Sequence, residues 1–289
     1  VKFAIHHVTT YRYDEPVYES VNELRISPRT NTRQACYHHH IAVVPNAPFF
    51  SFEDAFGNRV YAFTVNAPHD VLTITAQSVV VTHENDAQRI AVWDAYKDWA
   101  YIAAPTTRDQ FIEYIRPTHY TAKTEAICTY AHNWDNRAHG IETIVLDMIA
   151  HIHRDFVYDP FATHTQTTAD ELLSTKKGVC QDFSHLMIAL CRAIGIPARY
   201  VSGYHYVTDL QVRTSDFEQS SHAWVEVLIP GTGWVGFDPT NCNRVDGRYI
   251  KLGHGKDYAD IVPVKGVYRG TPHQKLDVHV DVTRLDVPM

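Results

Sequence analysis

An α+β fold in two parts is what the sequence predicts, and three observations carry it. Residues 1–85 hold short alternating apolar runs separated by turn residues, with no helical period up to His83. Two later stretches, 141–153 and 180–194, each carry one apolar stripe at helical spacing. Alternating runs return after Pro197, so helices precede a second, antiparallel sheet.

Composition bounds the rest. Of 289 residues, 45% are hydrophobic and 20% charged, enough apolar mass for one or two cores and too much for a disordered chain. The length fits two domains at about 150 residues each. The formal net charge of −7 lacks the basic face a nucleic-acid partner needs. No run approaches the ~20 apolar residues of a membrane helix. Neither nucleic acid nor membrane is therefore an expected partner. The opening Val1-Lys2-Phe3-Ala4-Ile5 alternates like a strand and carries no apolar core of signal-peptide type. The cysteines are Cys36, Cys128, Cys180, Cys191 and Cys242, an odd set with no CxxC pair. So few in a long chain suit a reducing, cytoplasmic compartment.

Taken in order, the first elements are strands near residues 17–26, 37–44, 59–65 and 71–81, with turns at Pro16, Pro28, Pro45, Pro48, Gly57-Asn58 and Pro68. This spacing predicts a β-sandwich-like domain over 1–85. Residues 86–116 are mixed and aromatic and read as a connecting segment with helical pieces. An α+β domain then fills 117–289. Its first clear helix places Ile141, Ile144, Val145, Met148, Ile149 and Ile152 on one face. Thr168-Ala169-Asp170-Glu171 fits a capping box opening a short helix. In the next helix Phe183, Leu186, Met187, Leu190, Cys191 and Ile194 repeat the same spacing, and Gly195 and Pro197 end it. Strand-like runs follow at 198–207, 221–229, 234–238 and 249–250, and a last one at 276–282.

Cys180 opens that helix. It lies three residues before Phe183, on the inward stripe, where backbone N–H groups and the positive dipole end favour a thiolate. Cys191 sits mid-stripe and reads as core. Eleven residues of helix hold the two about 16 Å apart, too far to pair. A thiolate nucleophile needs a base, and the base needs an orienting group. His222 begins the strand Ser221-His222-Ala223-Trp224-Val225-Glu226-Val227. The return strand Trp234-Val235-Gly236-Phe237-Asp238 ends beside it at the open end of a hairpin. A loop with an odd residue count puts His222 and Asp238 on one face; a four-residue loop, 230–233, puts them on opposite faces unless a bulge intervenes. The same face is expected, because the chemistry requires it.

Four blocks then carry a resemblance: Gly178-Val179-Cys180-Gln181-Asp182; Gly195-Ile196-Pro197-Ala198-Arg199-Tyr200; Ser221-His222-Ala223-Trp224-Val225-Glu226; and Gly233-Trp234-Val235-Gly236-Phe237-Asp238-Pro239-Thr240-Asn241. In this order the chain resembles the transglutaminase-like superfamily of papain-type cysteine enzymes. The front, with His7-Val8-Thr9-Thr10-Tyr11-Arg12-Tyr13, Leu24-Arg25-Ile26-Ser27-Pro28-Arg29 and Asp54-Ala55-Phe56-Gly57-Asn58, is similar to the amino-terminal domain of its bacterial members. Lys256-Asp257-Tyr258-Ala259-Asp260 resembles that group's tail. The resemblance implies a papain-like core with the cysteine helix packed on an antiparallel sheet. It also implies Cys180 as nucleophile, His222 as base and Asp238 as orienting acid.

The expected reaction is attack on the amide bond of a peptide or protein through a thioester, completed by water as in a peptidase or amidase. Transfer to an amine, as in a transglutaminase, is the alternative, and a non-catalytic binding module on the same fold is a third reading. No cofactor is expected. No metal is expected either: there is no HExxH, His38–His40 alternate along a strand, and His151 and His153 do not share a helix face. Tyr158 is the suggested second oxyanion donor, its other reading being a buried aromatic. Asp182 is expected to point outward, away from a thiolate it would oppose. Glu226 reads as a salt-bridge partner or cleft residue, and Trp224 and Trp234 as cleft wall or core. The amino-terminal domain is open between substrate binding, cleft shaping and oligomerisation.

Overall fold

One long strand organises the amino-terminal half. The computed structural model describes residues 1–83, 94–207, 221–271 and 273–285. In it β1 (Lys2–Leu24) runs unbroken through Pro16, where a turn was expected. Its ladder with β5 (His69–Thr82) shifts register between Arg12 and Val17, and Glu19 takes a φ of 50°. A proline, having no N–H to give, fits such an interruption. The strand bends there, and its two halves meet different neighbours. The first half lies between β5 and β14 (Gln274–Leu285), and the second between β4 (Arg59–Val65) and β13 (Val264–Arg269). With β2 (Gln34–Val44) and β3 (Phe50–Glu53) this makes a seven-stranded curled sheet. It closes on Tyr13, Val17, Leu24, Phe63, Leu72 and Ile74.

Residues 264–285 are a correction to the sequence reading, which keeps them with the second half. Alternation in 276–282 identifies a strand but not its partner, and the partner is β1. Val280 packs with Phe3, Ile5 and Val80 against Tyr204, Ile250 and Leu252, which joins the first sheet to the second.

The middle of the chain is helical: α1 (Ala95–Ala103), α2 (Pro105–Gln110), α3 (Glu125–Ala131), α4 (Ile141–Asp155), α5 (Ala169–Thr175) and α6 (Cys180–Ala193). The six apolar residues expected to line one face of α4 are all buried. No helix among the described residues is long and apolar enough to cross a membrane. The second sheet is antiparallel, in the order β11 (Asn243–Arg244), β10 (Gly233–Asp238), β9 (His222–Ile229), β8 (Ala198–His205), β12 (Tyr249–Gly255). A small parallel pair, β6 (Val157–Tyr158) with β7 (Lys177–Gly178), leads into α6.

α6 differs from its expected one-sided stripe. Every residue from Asp182 to Arg192 is buried, so the helix is central. One side shares a core with Ala223, Val225 and Val227 of β9, and other helices cover the rest. Its polar residues are satisfied only in part, since Ser184 Oγ, His185 Nδ1 and Asp182 Oδ1 are buried without a hydrogen-bond partner among the described residues. His185 Nε2 accepts the Tyr258 N–H at 3.2 Å. The Arg192 guanidinium donates to the carbonyls of Tyr114, Arg116, Ala198 and Lys256 and to the Thr121 hydroxyl.

The capping box forms on α5. Thr168 Oγ1 accepts the Glu171 N–H at 3.3 Å, and Glu171 Oε2 accepts the Thr168 N–H at 2.7 Å. Thr168→Ala is expected to lower the unfolding free energy by about 1 kcal/mol, read as a reduced urea midpoint at unchanged slope.

Candidate active site

The site lies where the start of α6 meets the ends of β9 and β10. Cys180 is the first helical residue, half-buried and free of any disulfide. Its approach is narrow. A Cβ on Gly178 would stand 2.7 Å from Asp182 Oδ2 and 2.9 Å from Leu172 Cδ1, so only glycine fits. Asp182 does not point outward, contrary to expectation. It turns back to accept the Val179 N–H at 2.9 Å and the Thr163 hydroxyl at 2.7 Å. Burial raises its pKa, which draws the group toward its neutral form. Cys191 behaves as core: it is fully buried, and burial pushes its thiol up to about 12.

The hairpin register resolves in favour of the expected face. Gly233 pairs with Ile229 and Phe237 with Val225, which leaves a three-residue loop, 230–232. Gly231 and Gly233 take positive φ there, a backbone few other residues adopt. His222 and Asp238 are then diagonal neighbours, and His222 Nε2 donates to Asp238 Oδ2 at 2.7 Å.

Asp238 is 0% exposed and fully partnered. Oδ1 accepts from the backbone N–H of Thr240 and Asn241 at 2.8 and 3.2 Å. Oδ2 accepts from Asn241 Nδ2 at 2.7 Å and Tyr249 Oη at 2.8 Å besides His222. Burial alone would raise its pKa. The His222 charge and these donors overcome it and hold the carboxyl well below the ordinary range. For His222 burial alone would lower the pKa. The Asp238 charge and hydrogen bond, followed by a hydrogen bond with Cys180, raise it to about 10. His153, from the last turn of α4, donates Nδ1–H to the Thr240 carbonyl at 2.8 Å and ties down the turn after the acid.

Other expected residues fall elsewhere. Tyr158 is 48% exposed rather than buried, and its backbone pairs beside Gly178. Trp224 is core, 1% exposed, against Val201 and Tyr249. Trp234 lies at the far end of the hairpin, where the Arg199 guanidinium stacks on its ring at 4.1 Å. Glu226 is a salt-bridge residue, 2.6 Å from both Arg199 Nη2 and Lys251 Nζ. Among the described residues no group of three or more His, Cys, Asp or Glu side chains is placed to hold a metal ion. The sequence reading assigns no role to Tyr249, Asn241 or His205. Asn241 closes the last motif block, which was a usable signal; Tyr249 and His205 carry none.

A cysteine opening a central helix beside an antiparallel sheet, with a histidine at the start of the sheet's middle strand, is the architecture of the papain-like and transglutaminase-like folds. The chain belongs to the bacterial transglutaminase-like superfamily. Residues 118–239 match the profile of the transglutaminase-like superfamily, and residues 3–81 match that of the bacterial transglutaminase-like N-terminal region. An uncharacterized Mycobacterium leprae protein is 34% identical over 281 residues, covering 96% of this chain and 97% of its own. A Pseudomonas aeruginosa protein-glutamine gamma-glutamyltransferase is 33% identical over 131 residues, 42% of this chain and 19% of its own. A crystal structure of a candidate cysteine protease from Cytophaga hutchinsonii superposes with a TM-score of 0.78 at 24% identity, covering 100% of this chain and 92% of the other, which shows a shared fold.

Proposed function

We propose that the protein is a cysteine-dependent enzyme acting on amide bonds of peptides or proteins through a thioester. One observation carries this reading: the His222 imidazole is bonded at 2.7 Å to the fully buried Asp238 carboxylate. In the proposed cycle Cys180 passes its proton to His222, and its sulfur attacks the substrate carbonyl carbon. The tetrahedral intermediate collapses as the C–N bond breaks, His222 protonates the leaving amine, and the acyl group stays on sulfur. Water, deprotonated by His222, then attacks the thioester, releasing a carboxylic acid and the thiol. Asp238 holds the imidazole's tautomer and stabilises the imidazolium. The Cys180 N–H, at a helix start and without an intrahelical acceptor, suits the oxyanion. Tyr158 is the proposed second donor.

Hydrolysis is preferred because transfer adds the demand of excluding water from the thioester. Amine transfer is the second reading, favoured by the likeness of 131 residues of this chain to the Pseudomonas aeruginosa glutamyltransferase. A reducing, cytoplasmic setting is proposed for a thiol used in this way.

The test is the pH dependence of iodoacetamide alkylation, with the labelled cysteine identified by mass spectrometry. Cys180 is expected to label fast at pH 6, and Cys180→Ala to remove that signal. Burial raises Cys36 and Cys191, so they compete little. His222→Ala is expected to slow Cys180 labelling at pH 6 by roughly 100-fold or more, since an ordinary thiol with a pKa of about 8.5 is there about one part in 300 thiolate. Equal rates in wild type and His222→Ala would sink the reading and favour a binding module. Peptide and amine-acceptor substrates then separate hydrolysis from transfer.

A further inference from the structure

β12 lies beside β8 at the edge of the second sheet and carries Tyr249. The Tyr249 ring is buried, stacked on His205 at 4.2 Å and 20° and edge-on to Trp224 at 5.4 Å and 76°. Its one hydroxyl proton faces Asp238 Oδ2 at 2.8 Å and Asn243 Oδ1 at 3.0 Å, and the charged oxygen is the stronger acceptor. Apart from His222, the other donors to Asp238 are Thr240 and Asn241, from the turn that follows it. They move with the acid. Tyr249 is the donor that fixes the carboxylate against a different strand.

That strand is in turn gripped from outside its own sheet. Gln34, which opens β2, accepts the Lys251 N–H at 2.8 Å and donates to the Lys251 carbonyl at 2.9 Å, so its amide stands in for a neighbouring strand. Gln34 also donates to the Arg29 carbonyl at 2.7 Å, and the Arg29 N–H donates to the same Lys251 carbonyl at 3.0 Å. On the other side of Tyr249, Thr82 Oγ1 donates to the Gly247 carbonyl at 2.6 Å, and Arg33 Nη2 to the Val245 carbonyl at 2.7 Å. Residues 29–82 thus hold the backbone on both sides of Tyr249.

We propose that Tyr249 is a positioning residue for Asp238, and that Gln34 of the amino-terminal sheet fixes the strand that carries it. This rests on the function proposed above. It gives the amino-terminal half a definite part, as scaffold of the acid's environment. The titratable groups around this centre are Cys180 and Asp238 at His222, His205 against Tyr249 and His222, and the ion-paired Asp246 and Arg248.

The readout is the acid limb of the Cys180 alkylation profile in the full chain, with thermal unfolding measured in parallel. A misplaced Asp238 stabilises the imidazolium less, so the thiolate needs a higher pH to form. Tyr249→Phe is expected to move the limb up in pH, slowing labelling on that limb by roughly three- to tenfold. Gln34→Ala should move it the same way, and the double variant little further than Tyr249→Phe alone. If Gln34→Ala does not fold, Gln34→Glu keeps an acceptor for the Lys251 N–H and loses both donated bonds. Asp238→Asn is the control. If wild type has no low-pH labelling at Cys180, or Asp238→Asn leaves the limb in place, the functional reading falls and this inference with it. If Asp238→Asn moves the limb but folded Tyr249→Phe leaves it unmoved or moves it down, this inference alone is overturned. A Gln34 shift that adds in full to that of Tyr249→Phe overturns the role given to Gln34.

Discussion

Asp238→Asn is expected to lower turnover by roughly 10³–10⁴-fold while leaving the fold intact. In the wild type Oδ2 gathers three donors, from His222, Asn241 and Tyr249. An asparagine placed there keeps one oxygen for the two backbone N–H groups of Thr240 and Asn241. It then turns an amide N–H₂ toward the three donors. His222 relieves the clash only by taking the other tautomer, with Nε2 as acceptor and Nδ1 protonated, and that ring has no free nitrogen to take a proton from Cys180. The measurement is kcat on whichever peptide the labelled enzyme turns over; loss of substrate binding with unchanged kcat would contradict it.

The same pair predicts a pH dependence of stability. The folded pKa of His222 is raised, so its contribution is complete below the unfolded value of about 6.5 and is lost as pH climbs toward about 10. The folded pKa of Asp238 is depressed, so its contribution is present above the unfolded value of about 3.9 and is lost as pH falls through the folded value. Wild type is therefore most favoured over Asp238→Asn between about pH 4 and 6.5. Urea midpoints of the two proteins across pH 4–10 should converge at the alkaline end.

Glu226→Gln is expected to destabilise the protein by roughly 3–5 kcal/mol. The carboxylate lies between Arg199 and Lys251, with side chains only 11–14% exposed across the three. Burial alone would raise Glu226, but the Lys251 and Arg199 charges overcome it and hold the carboxyl well below the ordinary range. Lys251, lowered by burial to about 8, keeps its proton at neutral pH mainly through Glu226. A neutral amide leaves two buried cations facing each other without a counter-charge. Lys251 belongs to the segment that Gln34 holds, so the damage reaches the contact between the two sheets. The wild-type advantage should shrink as pH falls below the unfolded glutamate value of about 4.3, toward the depressed folded pKa of Glu226. Urea unfolding at pH 7 and at pH 3 checks both statements. A loss of activity with an unchanged urea midpoint would instead make Glu226 a cleft residue.

Local physics makes much of this protein legible in its residues. The α4 stripe and the Thr168 capping box follow from spacing and turn chemistry, whereas the hairpin's three-residue loop is shown only by its pairing. His222 and Asp238 are legible as neighbours because a hairpin brings strand ends together over a short separation. Cys180 at a helix start is legible because Gly178 precedes it and an apolar period follows it.

The remaining features depend on partners far apart in the chain. Alternation marks 276–282 as a strand, yet nothing local says that it pairs with β1. A one-sided period in α6 does not reveal that its polar face is buried too, because burial of Asp182, His185 and Arg192 depends on acceptors and donors from distant segments. Asp182 points inward rather than outward for that reason. Tyr249 and Gln34 have no periodicity or motif, since their meaning lies in single hydrogen bonds across 11 and 217 positions. Residue order alone specifies the local elements and the hairpin that joins His222 to Asp238. The tertiary structure decided which groups lose water together, and in a buried site that sets charge, tautomer and orientation.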